Sequence, residues 1–349
     1  MGHLLWWFGI VSPGGPSHAG DMFKSSGHLY RVTSQTNHRW QVILAFGLVY
    51  VFWGSTYLAI GISDEEHLPP AVMCAIRFVI AGPLMLAACA AMGRNIRITW
   101  NEGVRLATIG CLLLVGGNCG LAWAEQWVPT GFAALLIAVT PIWFLLLEKF
   151  VFRGDRLSAR GVFGVALGIA GVVLLFWSKF EQRTSGIMPL LAAGTLLFSS
   201  LSWSIGSVLS HNWHMKVDPF TATGWQMVFA AIGNAVVALI SGEYRHVVVT
   251  HRALMAVLYL VVFGSWVGYT AYIWLLKHVP TPKVATYAYV NPVVAVFLGW
   301  GLHSERLDGF MFGGMIIIVV GVALVTTAKV HDAGKEVAEG TMPGLESEV

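Results

Sequence analysis

The sequence predicts an all-α integral membrane protein: ten transmembrane helices arranged as two inverted five-helix repeats. Three observations carry that expectation. The chain is 56% hydrophobic and only 11% charged, whereas soluble domains carry about 25% charged residues. Its apolar residues gather into runs near the length, roughly 20 residues, that a helix needs to cross a hydrocarbon core about 30 Å thick. One stretch also occurs twice: residues 128–141 and 279–292, at a constant offset of 151, share six of fourteen positions. Each copy opens on Val-Pro-Thr and carries a second proline, Pro141 or Pro292, about three turns further on.

Taken in order, the chain begins with residues 1–39, read as a disordered N-terminal extension. Its apolar segment 4–11 is too short to span, has no basic flank and runs into Ser12-Pro13-Gly14-Gly15-Pro16, unlike a signal peptide. Met22 offers a later start. Apolar runs at 41–62, 70–92, 103–125, 130–151 and 160–178 make a first half, residues 40–178. Runs at 187–209, 219–241, 252–276, 281–302 and 309–328 make a second, residues 187–328. Residues 329–349 are polar, rich in Gly and Glu, and read as a disordered cytoplasmic tail. With the N-terminus inside, fifteen Lys and Arg fall on the cytoplasmic side and five outside. Both termini are therefore expected in the cytoplasm.

The duplication extends beyond the opening stretch. Trp123 matches Trp274 at offset 151, and Pro70 matches Pro219 at 149. At 150, Trp53 matches Trp203, Gly164 matches Gly314, Gly171 matches Gly321, and Asp155-Arg156-Leu157 matches Glu305-Arg306-Leu307. Five spans per half is an odd number, so the second half enters the membrane upside down. Inverted halves are the architecture of secondary transporters, which hold the solute near the midplane where the repeats meet.

Net charge is only +3, with basic residues scattered between apolar runs, so there is no nucleic-acid footprint. Cys74, Cys89, Cys111 and Cys119 fall inside apolar runs without a Cys-x-x-Cys spacing and read as small buried apolar residues. No phosphate-binding Gly-x-x-x-x-Gly-Lys-Ser/Thr occurs, nor a His/Glu metal motif or paired mid-span carboxylates. The chain is not expected to be an enzyme or to hold a cofactor.

Trp53-Gly54-Ser55-Thr56 in the first span, Pro69-Pro70 followed by Arg77-Phe78 in the second, and the Pro141 and Asn291-Pro292 helices with trailing Arg-Leu together resemble the EamA family. That family belongs to the drug/metabolite transporter superfamily of ten-helix exporters. The likeness covers about residues 40–328, and the N-terminal extension is longer than the family's usual tail. It implies an inner-membrane permease that exports amino acids, metabolites or drugs through a cavity lined by both halves. An exchanger or channel-like permease of the same fold, of the nucleotide-sugar or triose-phosphate type, is the alternative, and an intramembrane enzyme a lesser one.

The candidate binding residues follow from polarity inside the spans. Arg77 is the one Lys or Arg clearly within a span. A charge there is costly and marks either a task, such as holding a substrate carboxylate, or a structural partner. Gln226 is its neutral match in the seventh span. Trp53 and Tyr57 share a face of the first span, and Trp203 answers Trp53 across the repeat. Lys283, Tyr287 and Asn291 stand at i, i+4 and i+8, one stripe on a helix, where the first copy has Phe132, Leu136 and Thr140. The stripe reads as a cavity wall or as ties between helices. Pro141 and Pro292 each free a carbonyl one turn back and are expected to kink their helices as hinges. Glu125 and Glu148, at span ends, are candidates for proton coupling or for plain interfacial placement. His211 and His214 have no third metal ligand nearby, and the recurrent glycines read as packing. The expected partners are a small-molecule substrate and membrane lipid, with proton coupling and a homodimer left open.

Overall fold

The computed structural model describes residues 29–128, 130–152, 155–175, 177, 187–303 and 309–332. Residues 1–28, Pro129, Lys179, Arg183, the Glu305-Arg306-Leu307 triplet and the tail beyond Asp332 lie outside the described residues.

The helices are α1 (Leu29–Glu65), α2 (Pro70–Ala91), α3 (Trp100–Glu125), α5 (Ala159–Leu175), α6 (Ile187–Asn212), α7 (Pro219–Ser241), α8 (His251–His278) and α10 (Gly309–Thr327). Two more are broken. α4 consists of Thr130–Ile137 and Thr140–Leu147, running on through a π turn at Glu148–Phe152. α9 consists of Thr281–Val284 and Tyr287–His303. Among the described residues eight helices are long and apolar enough to cross a membrane. α5, at 17 residues, and the broken α9 complete the ten. α1 begins at Leu29, inside the stretch expected as an extension. Among the described residues there are also a 3-10 turn at Glu243–His246 and a three-residue antiparallel ladder between β1 (Asp155–Leu157) and β2 (Val330–Asp332). The ladder ties the α4–α5 loop to the chain after α10, so the stretch expected as a tail starts as a strand.

The two halves share their helix ends. Thr99 caps α3, donating its backbone N–H to Glu102 while its hydroxyl accepts from the Glu102 N–H, a reciprocal capping box. Thr250, 151 residues later, caps α8 by accepting from Ala253 N–H at 3.1 Å. Just past α2 and α7 come Gly93 (φ 72°) and Gly242 (φ 76°), left-handed positions that glycine fills without a Cβ penalty. α3 and α8 widen into π turns at corresponding places, Cys111–Cys119 and Leu260–Tyr269.

Small residues set the closest contacts, since without a hydrophobic drive between helices close packing must hold them. A Cβ at Gly314 would lie 2.5 Å from Leu175 N and 2.7 Å from Gly171 O, and one at Gly164 would lie 2.9 Å from Gly321 O. These glycines let α5 and α10 meet backbone to backbone. α2 meets α7 in the same way, where a Cβ at Gly82 would lie 2.8 Å from Val228 N. One apolar core forms mainly from α1, α2, α3, α7 and α8. Another, from α4, α5, α9 and α10, packs Tyr289, Val172 and Ile318. Two faces of the bundle can be named by what they carry. The Arg77 face holds the α1–α2 and α7–α8 loops, tied where Glu243 accepts from Ala71 N–H at 2.8 Å and Arg252 pairs with Glu65 at 3.2 Å. The Arg94 face holds the α2–α3 and α6–α7 loops, tied by the Arg94–Asp218 ion pair.

Candidate functional site

A cavity enclosing about 600 Å³ of empty space, its mouth included, lies between the halves. α1, α2, α3 and α4 supply lining from the first half, and α6 and α9 from the second. It reaches from mid-bundle toward the Arg77 face, because Tyr57, Ile60, Arg77 and Leu121 all sit in the halves of their helices nearer that face. Of the residues singled out in the sequence, Trp53, Tyr57, Arg77, Trp203, Tyr287 and Asn291 line it.

Arg77 is 3% exposed. Its Nε donates to Ser265 Oγ at 2.8 Å and its Nη1 to Asn118 Oδ1 at 3.2 Å. Both partners are neutral, and the structure gives Arg77 no ion pair among the described residues. Its guanidinium lies against Gly264, where a Cβ would come within 2.7 Å of Nη2. The charge is thus seated by a glycine on α8 and neutral acceptors, not by a carboxylate.

The middle of the cavity is aromatic. Trp53 meets Trp203 edge-on with centroids 5.3 Å apart, and meets Tyr287 edge-on at 5.2 Å. Trp53 Nε1 donates to Gly264 O at 3.1 Å, which fixes its ring. Both tryptophans need a glycine opposite. A Cβ at Gly268 would lie 2.5 Å from Trp53 Nε1, and one at Gly117 would lie 2.7 Å from Trp203 Cε3. Gly117 and Gly268 are themselves 151 apart, so the same Trp-on-Gly seat is built in each half. Gly54, beside Trp53, lets α1 reach α9, since a Cβ there would lie 2.5 Å from Val294 Cβ. This gives a physical reason for a glycine after the tryptophan.

Two of the lining residues carry a buried polar atom with no hydrogen-bond partner among the described residues: Asn291 Oδ1 and Ser199 Oγ. Asn291 is 4% exposed. A buried polar atom left unbonded costs about 1–3 kcal/mol, so both suit a ligand that brings a donor.

Several expectations need correction. Lys283, Tyr287 and Asn291 do not form one stripe, because α9 breaks at Ala285–Thr286. Lys283 stays on the short Thr281–Val284 segment and donates to Thr326 O at 2.9 Å, toward α10. The break is shaped by Thr286, whose Oγ1 donates to Lys283 O at 2.7 Å and whose N–H bonds the same carbonyl in a tight turn. Pro292 lies inside the continuous Tyr287–His303 segment, not at the break. Pro141 does sit beside its break, in the first turn of Thr140–Leu147, where a missing N–H costs nothing. Gln226 is fully buried outside the cavity and accepts from Tyr269 Oη at 2.7 Å. Cys111 is exposed rather than buried.

The lining residues Asn118 and Ser199 are not among the candidates that the sequence singles out. Asn118 carries a visible signal, as the one amide within the apolar run 103–125. Ser199 does not stand out, because serines recur all along α6.

A bundle of ten helices in two inverted halves, with a cavity where they meet, is the plan of an inverted-repeat membrane transporter. The chain belongs to the EamA-like transporter family, whose profile matches residues 40–177 and 190–327. It is similar to the inner membrane transporter YedA of Escherichia coli (strain K12), 34% identical over 312 residues that cover 88% of this chain and 99% of YedA. It is also similar to a probable amino-acid metabolite efflux pump of Escherichia coli (24%, covering 79% of this chain and 91% of the pump). The WAT1-related protein At3g02690 of Arabidopsis thaliana is 26% identical, covering 84% of this chain and 70% of that protein. A solved crystal structure superposes with a TM-score of 0.68 at 22% identity, covering 82% of this chain and 96% of that one, a likeness of fold.

Proposed function

We propose that this protein is a secondary transporter that exports small zwitterionic or anionic organic solutes across an inner membrane by alternating access, without chemical change to the solute. The observation that carries this reading is the small set of polar side chains in a mainly apolar, aromatic cavity. Arg77 offers a cation with no carboxylate to neutralise it, and Asn291 Oδ1 and Ser199 Oγ offer unfilled acceptor sites. The Trp53, Trp203 and Tyr287 rings line the same cavity. A solute with a carboxylate at one end, an N–H donor at the other and an apolar body fits each group in turn. An amino acid or an N-acylated relative is such a solute, in keeping with the name of the efflux pump that the chain resembles. In this reading the Lys and Arg bias sets both termini in the cytoplasm, so the Arg77 face is periplasmic.

The test is uptake by sealed liposomes holding the purified chain, with labelled amino acids of graded side-chain size and their amides as controls. Saturable uptake of the acids with weak competition by the amides supports the reading. No saturable flux of any of them removes it.

A further inference from the structure

The Arg77 cavity has a repeat-matched set of residues on the other side of the midplane. Inverted repeats place matching residues at equal depth from opposite faces, so each lining position has a counterpart toward the Arg94 face. Arg77 corresponds to Gln226, Asn118 to Tyr269, Tyr57 to Ser207 and Leu121 to Tyr272, at offsets of 149, 151, 150 and 151. The two sets are wired alike. Arg77 Nη1 donates to Asn118 Oδ1 at 3.2 Å in the open set, and Tyr269 Oη donates to Gln226 Oε1 at 2.7 Å in the closed one. They differ at the other pair. Tyr57 and Leu121 both line the cavity, and no hydrogen bond joins them. Their counterparts Ser207 and Tyr272 share a hydrogen bond of 2.6 Å, and Trp203 Nε1 also donates to Tyr272 Oη at 2.9 Å.

We infer that Gln226, Tyr269, Ser207 and Tyr272 line the solute path in the conformation open to the Arg94 face, with the Tyr272 hydroxyl as the latch that closes it here. This deepens the transport reading and rests on it. Two further observations point the same way. Gln226 Nε2 is buried with no hydrogen-bond partner, although burying polar atoms among membrane helices is costly. A second tie closes the same level, where Tyr50 Oη bonds Thr286 Oγ1 at 2.7 Å at the break in α9. Packing alone would favour apolar side chains in such a seam. A path that must be wetted and closed in turn needs groups that can bond each other or the solute.

The experiment uses Ser207→Cys and Gln226→Cys in the full chain, in vesicles of one orientation. A membrane-impermeant methanethiosulfonate is added from each face in turn. Solute uptake is measured on the same vesicles, and the native chain's labelling is the background. The expected result is labelling of both cysteines from the Arg94 face only, several-fold above background. Adding Tyr272→Phe to Gln226→Cys, which leaves Ser207 in place, is expected to speed that labelling about fivefold, the shift that losing one net hydrogen bond allows. Labelling at background from the Arg94 face in both the latched and the Tyr272→Phe chains overturns the inference, whether or not a solute crosses. So does labelling from the Arg77 face. Labelling from the Arg94 face supports the path even where no tested solute crosses, in which case only the transport reading fails.

Discussion

Arg77→Met separates a binding role from a structural one, because the two predict opposite signs. Arg77 is 3% exposed and holds its charge against Ser265 and Asn118, both neutral. Removing a buried charge that lacks a counter-charge is often neutral or stabilising when an apolar residue of similar volume replaces it. The losses are two hydrogen bonds, one to Ser265 and one to Asn118, each worth about 1.5–3 kcal/mol when a charged group takes part. The gain is relief of a desolvation penalty of several kcal/mol per ion. The melting temperature of the empty protein is therefore expected to hold or rise. Affinity for a carboxylate-bearing solute should fall instead, since a charge-assisted bond of about 1.5–3 kcal/mol corresponds to about 10- to 150-fold in Kd. The assay pairs each amino acid with its amide in counterflow competition on purified protein in liposomes, with thermal unfolding run alongside. In the native chain the acid should outcompete the amide; in Arg77→Met the ratio should collapse toward one. A melting temperature that drops by many degrees together with an unchanged acid-to-amide ratio would refute the reasoning, leaving Arg77 as a structural tie.

Other substitutions test the remaining parts. Asn291→Ala should weaken solute binding about threefold to tenfold by removing one acceptor, with normal membrane insertion; unchanged transport kinetics would take Asn291 out of the site. Tyr287→Ala opens the aromatic wall beside Trp53 and should cut transport while expression holds, as checked by uptake normalised to protein in the membrane. Gly314→Val pushes a side chain into Leu175 N and Gly171 O, 2.5 and 2.7 Å from its Cβ. It should destabilise the fold by about 1–3 kcal/mol, as overpacking does, read as earlier loss of monodisperse protein on heating. Glu125→Gln tests proton coupling: Glu125 Oε1 is buried without a hydrogen-bond partner. Tyr57 and Asp64 of α1 bear on it, and Asp64 accepts from Gln126 Nε2 at 3.1 Å. Uptake driven by an imposed pH gradient should fall to the gradient-free level; a full response in the variant removes Glu125 from the coupling.

Most of the scaffold was legible in the sequence because a bilayer admits few solutions. Backbone groups must be satisfied within each span, so apolar runs of about 20 residues become helices, and α2, α3, α7 and α8 end within three residues of the runs read for them. The repeat was legible because glycine, proline and tryptophan are used where nothing else fits, as at Gly171 against Gly314. The site was half legible. Arg77 and Asn291 stand out by polarity alone, and Trp53 and Trp203 by their offset. The break in α9 was not visible, since Thr286 makes it through a side-chain bond to Lys283 O, and threonine is common in helices that do not break. Gln226 lies outside the open cavity for a related reason. Matching by offset finds equal depth from opposite faces, and the cavity between the halves reaches toward the Arg77 face.

The difference between the two halves bears on how a solute's affinity can differ from one side to the other. The halves keep the backbone devices in common: Thr99 with Thr250, Gly93 with Gly242, Gly117 with Gly268, and the π turns of α3 and α8. They differ where a solute would be touched. Arg77 answers to Gln226, Tyr57 to Ser207, and Thr140 to Asn291. A shared backbone plan lets two conformations lie close in energy, because each is roughly the other with the halves exchanged. Unlike side chains then make the solute's affinity differ between them, and a ligand shifts such an equilibrium only by that difference. On the inferred path a carboxylate meets a cation on one side of the midplane and a neutral amide on the other. Arg77→Gln would make the two sides alike at this position. Its expected effect is to bring the half-saturation constants measured from the two faces together, and a persistent gap between them would place the asymmetry elsewhere.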